Sequence, residues 1–172
     1  MTISMYKASV PIFVQFLTSL STLLDKTAAH AEAKKIDPAV FLNLRLYPDM
    51  FHFARQVGEA NRHAANTCAR LAGVDLLAFP STEPSLAELK DRTAKAIDFV
   101  KSFKPAQIDG TEAKEIVIKF PSGDDRRFTG QSLLLNFHLP NFYFHLTTAY
   151  DILRHAGVEV GKRDFLGKPV EL

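Results

Sequence analysis

Two histidines and an asparagine fall on the core-facing side of a segment apolar enough for a protein core. In QSLLLNFHLPNFYFHLTTAYDILRHAG, residues 131–157, a helical step of about 100° per residue puts Leu134, His138, Asn141, His145, Ala149 and Ile152 on one face. Asn136, Thr147, Asp151 and Arg154 fall on the other, as on a core-facing helix. Asn141 and His145 lie one turn apart and are the candidate catalytic pair. An amide is a poor transition-metal ligand beside imidazole or carboxylate. His138 and His145 are roughly 10.5 Å apart along a straight helix, too far to share an ion at metal–nitrogen distances of about 2.1 Å unless Pro140 kinks the helix. Three readings stay open. His145 is a core histidine bonded to Asn141 or to a facing helix such as Gln56, part of a small-ligand pocket with Gln56, Asn141 and Thr148, or a metal ligand.

A second polar row, His52, Gln56, Glu59, His63, Asn66 and Arg70, repeats at helical spacing upstream. It lies opposite the stripe Met50, Ala54, Val57, Ala64, Cys68 and Leu71. Its histidines and glutamate could look like a metal site, but no apolar residue accompanies the row, so it is expected to be a solvated face. Asn61 is the exception, a polar residue inside the apolar stripe. No HExxH, CxxC, GxSxG or GxGxxG occurs. GVEVGKRDFLG fails as a phosphate loop: three residues separate Gly157 from Gly161, and Arg163 follows Lys162 where the motif needs Ser or Thr.

Four long helices are expected to position these residues. The first covers residues 4–33, with Val10, Phe13, Leu17, Leu20 and Leu24 as its stripe. The second runs from Pro48–Asp49 to Leu71, closed by Gly73. The third starts at the Ser85–Glu88 capping box and stops at Lys104–Pro105. Residues 37–48 read as a packed loop and 158–172 as a tail draped on the bundle through Phe165 and Leu166. Before the last helix, Glu115–Phe120 alternates as a strand, Pro121–Asp124 turns, and Arg126–Phe128 returns. The architecture is an all-α four-helix bundle with a small β-hairpin insertion, in a single domain over residues 1–172.

The bulk numbers exclude other classes. Of 172 residues 47% are hydrophobic, with 14 Phe, enough for a sizeable core. A net charge of +2 from 21 basic and 19 acidic residues leaves no basic stripe for nucleic acid. The single cysteine, Cys68, forbids an internal disulfide. No stretch reaches roughly 18 uncharged apolar residues, so a cytoplasmic protein without a membrane partner is expected.

LPNFYFHLTTAYDILRHAGVEVGKRDFLG, with LYPDMFHFARQV upstream and FTGQSLLLNFHLPNFYFH leading in, resembles the uncharacterised DUF1993 family of the DinB/YfiT-like superfamily. The resemblance implies an up-down-down-up helix order and a homodimer. It also implies a divalent metal, zinc or nickel, on three histidines, one from the second helix and two from an HxxxH pair on the last. His145 matches the second of that pair, Asn141 replaces the first, and the second-helix position falls near His52 or Gln56. The candidate ligands are therefore His52, His138 and His145. The expected function is small-molecule binding or a structural role around a degenerate site that has lost its metal, so that no stoichiometric transition metal is expected without added metal. The alternative is a metal-dependent or thiol-dependent transferase or hydrolase centred on His145.

The first and last helices are apolar on more than one face, which suits symmetric pairing burying about 1,200–2,000 Å². Light scattering at tens of micromolar should give twice the chain mass; a monomer mass excludes the dimer.

Overall fold

Pro11 decides where the first helix begins. Without an N–H it fits only the first turn, and α1 (Val10–Lys34) starts one residue before it rather than at residue 4. The residues ahead of it form turns, with Ser9 Oγ donating to Met5 O at 2.7 Å. The computed structural model describes residues 3–79, 85–120 and 123–169. Phe13, Leu17, Leu20 and Leu23 of α1 are wholly buried. The helix closes on Lys35 in the left-handed conformation, φ 55°.

The connection expected as a packed loop contains α2 (Pro38–Asn43), capped by Asp37, whose carboxylate accepts from Ala39 N at 2.9 Å. The second long helix, α3 (Phe53–Ala72), starts after the expected Pro48–Asp49 and ends on Gly73 at φ 74°. The third, α4 (Leu86–Ser102), carries the Ser85–Glu88 capping box. A short α5 (Pro105–Ile108) follows. Strands β1 (Glu115–Ile118) and β2 (Arg126–Thr129) pair antiparallel, Ile116 opposite Phe128 and Ile118 opposite Arg126. Of the expected turn between them, Pro121 and Ser122 lie outside the described residues. Ile116 and Ile118 face inward and Val117 outward, so the hairpin docks by one face.

The last long helix is not uniform. After α6 (Gly130–Ser132) the chain widens into a π-turn, Leu133–His138, before α7 (Leu139–His155). Leu139 N–H bonds back five residues to Leu134 O. Pro140, lacking an N–H, sits at the start of α7, and the wide turn absorbs the break it makes in the hydrogen-bond ladder. Downstream, where a tail without periodicity was expected, Lys162–Leu166 form α8. Phe165 packs edge-on against Phe16 and Tyr150, while the Leu166 side chain is exposed.

The bundle is built from α1 against α4 and α3 against α7, with α3 and α4 joining the two pairs. Phe13 and Phe142, both wholly buried, meet edge to face at 5.0 Å and tie α1 to α7. Among the described residues no helix is long and apolar enough to cross a membrane.

Gly130 joins hairpin to helix. Its N–H donates to Lys114 O at 2.8 Å, and a Cβ there would lie 2.0 Å from Thr111 O. Gly130→Ala must push backbone apart and should cost about 1–3 kcal/mol or more, measured by urea unfolding; a neutral result would show that the hairpin shifts freely.

Candidate metal centre

Helix α3 has no broad solvent face. Fourteen of its twenty residues are buried, including Gln56, Glu59, His63 and Thr67. The row expected to be solvated therefore points inward, toward α7, and only Arg55 and Arg62 beside it reach out. That corrects the sequence-based expectation for this face. The reason is that α3 packs against both α4 and α7, so an apolar stripe serves one neighbour and the polar row the other.

The buried polar groups satisfy one another across the α3–α7 seam. Gln56 Nε2 donates to Phe51 O at 3.1 Å, which turns Oε1 toward His145. His145 Nδ1 lies 2.7 Å from that oxygen. A carbonyl oxygen only accepts, so His145 carries its proton on Nδ1 and a lone pair on Nε2. His63 Nδ1 and His138 Nδ1 are 2.8 Å apart. Two neutral rings in such contact share one proton. The ring that carries the Nδ1 proton donates and the other accepts; with His63 as donor its Nε2 is a lone pair and His138 carries its own proton on Nε2. His138 Nε2 is buried with no hydrogen-bond partner among the described residues.

The His63 and His145 rings stack at 5.5 Å and 18°, and Phe51 lies nearly parallel to His145, 6.3 Å away at 12°. Glu59, His63 and His145 each offer a ligand atom, all within 4.8 Å of one another. Both Glu59 oxygens meet guanidiniums: Oε1 meets Arg55 at 2.6 Å, and Oε2 takes Arg62 Nε at 2.8 Å and its terminal nitrogen.

The other expected site residues separate. His52 stands at the start of α3, its Nδ1 donating to Leu42 O at 3.0 Å, outside the cluster. Asn141 is half-buried and donates to Phe137 O at 2.7 Å rather than bonding His145. Thr148 is buried but donates to Phe144 O within its own helix. Glu59 and His63, whose row the sequence reading assigned to solvent over a metal site, are the residues it left out of the candidate site, although their i, i+4 spacing on one helix was a usable signal. Asn61 is buried, with Nδ2 donating to Thr93 Oγ1 at 3.0 Å. Cys68 is buried and its thiol is pushed up to about 12 by burial, which removes it as a nucleophile. A groove of about 650 Å³ between α1 and α8, lined by Val10, Val14, Ser19 and Arg163 among others, shares no residue with this centre.

Burial, then neighbouring positive charge, keeps the three histidines neutral. His63 is lowered to about 4 by burial and by the His145 and Arg62 charges. His138 is lowered to about 3 by burial and by His63, Arg70 and Arg62. Burial also lowers His145, against the opposing pull of Glu59.

A helical bundle with a buried carboxylate–imidazole cluster on two facing helices defines the class. Residues 5–166 match DUF1993, a domain of unknown function, and the chain belongs to that family. A crystal structure of a DinB family member protein from Shewanella denitrificans is 39% identical, covers 97% of this chain and 94% of its own, and superposes with a TM-score of 0.86. No curated protein matches the chain.

The lowered histidines set a pH dependence. The unfolded chain takes up protons near 6.5, whereas native His63 and His138 do so only at about 4 and about 3. Between these limits the unfolded state binds more protons, so stability is present above pH 6.5 and is lost as pH falls. The loss is ~1.4 kcal/mol per unit for each histidine at most. Urea unfolding from pH 7 to pH 4 should show this slope, and His138→Gln should reduce it by about half; an unchanged slope would place the titration elsewhere.

Proposed function

We propose that this protein holds one divalent transition metal, zinc or nickel, on Glu59, His63 and His145, and uses it to bind and transform a small molecule. The observation that carries the reading is the Gln56–His145 hydrogen bond. It fixes the tautomer whose free Nε2 is left for a ligand role, as partners of metal-bound histidines commonly do. The donor set fits: two imidazoles and a carboxylate suit zinc and nickel. His138 stands behind His63 as Gln56 stands behind His145. A metal on three protein ligands keeps an open position and acts there as a Lewis acid. The chain's own part is to hold the imidazoles neutral and oriented and to cover them with Phe51.

The catalytic class that fits such a centre is a transferase or hydrolase. With Cys68 buried, any thiol in a thiol-dependent reaction comes from the substrate side. One observation favours the second reading, metal-free small-molecule binding: both Glu59 oxygens are already held by arginines.

Equilibrium dialysis of chelator-treated protein against zinc or nickel separates the two readings. One metal per chain is expected, lost in His63→Ala and His145→Ala and kept in His52→Ala. Gln56→Leu should weaken binding about 10–100-fold. Metal retained by His145→Ala, or lost by His52→Ala, would refute the assignment.

A further inference from the structure

The charges around Glu59 do not balance. Arg55 and Arg62 both bond this one carboxylate. A metal that takes a Glu59 oxygen places a divalent cation against the two guanidiniums already on that one carboxylate, which costs energy unless a guanidinium moves away or an anion arrives. Both arginines are free to turn, their side chains 55% and 53% exposed. Aromatic rings stand beside them: Arg55 lies over the Phe51 ring at 5.2 Å. Phe51 stacks on His145, and Phe144 meets His145 edge-on at 5.4 Å. Phe51 and Phe144 are about half exposed without being part of the core.

We propose that the centre takes a divalent metal and an aromatic carboxylate together, Arg55 and Arg62 changing partner from Glu59 to the carboxylate as the metal takes Glu59. The inference rests on the metal reading above and names the substrate class for that same site. A guanidinium binds a carboxylate in the ligand with the geometry it uses on Glu59, and the ligand ring finds Phe51 and Phe144. Glu59 is thus a carboxylate contested by arginine and metal, and the organic anion decides the contest. Because coupling is reciprocal, the anion raises metal affinity by the factor by which the metal raises anion affinity.

The test measures zinc Kd by competition with a chromophoric chelator, with benzoate or with its neutral isostere benzamide at equal ionic strength. Benzoate should tighten zinc about fivefold or more, and benzamide should not. Arg55→Gln and Arg62→Gln, singly and together, should bind zinc at least as tightly as wild type without benzoate, and the double variant should lose the benzoate effect. Both positions are half exposed, so the single variants keep the test open should the double variant misfold. Equal action of benzoate and benzamide overturns this inference and leaves the metal reading standing. Weaker zinc binding in the arginine variants also overturns it, since the arginines would then be supports that orient Glu59. No zinc uptake by any chain removes both.

Discussion

A helix enclosed on nearly every side has no solvent in which to leave its polar residues. Helix α3 packs against α4 along one stripe and α7 along another, and Gln56, Glu59 and His63 fall on the second. Leaving such groups unpaired would cost roughly 1–3 kcal/mol each, so the α3–α7 seam must be built from complementary polar groups. Gln56 with His145, His63 with His138, and Glu59 with its two arginines meet that requirement almost completely. Among the described residues His138 Nε2, Asn66 Oδ1 and Arg70 Nε are left without a hydrogen-bond partner.

The same constraint gives the centre its chemical character. Imidazoles that are buried and pressed by arginine charges stay unprotonated in ordinary buffers, and unprotonated imidazole is the form that donates a lone pair. Fixed tautomers follow from the partners: Gln56 orders one ring because Phe51 O orders Gln56. The arrangement is therefore rigid at the helix-borne groups and loose at the arginines, which reach water.

The apolar stripes, the Ser85–Glu88 cap, the hairpin strands and the bundle were legible because each is a local signal repeated at a known period. His145 was legible as an inward residue for the same reason. The polar row of α3 was not, because amphipathic reading assigns one face to the core and the other to water, and α3 has two buried faces. The Asn141–His145 partnership failed for a different cause. Spacing of four brings two side chains near one another but does not forbid Asn141 from turning back to Phe137 O, a bond available within its own helix. The π-turn has no sequence period at all, and only Pro140 hinted at it.

The clasp of α8 on α1 has a consequence for the order in which the protein is made. Gln15 Nε2 donates to Leu166 O, 151 positions later, and Lys26 pairs with Asp164 at 2.7 Å. Contacts between residues so distant in sequence carry a large loop-closure entropy and form slowly. As the chain leaves the ribosome, α1 emerges first, yet the groove beside Val14 and Phe16 stays open until residues 162–166 have followed. A nascent bundle therefore displays that strip of α1 throughout most of its synthesis, making it the surface on which a chaperone or a second nascent copy would first land.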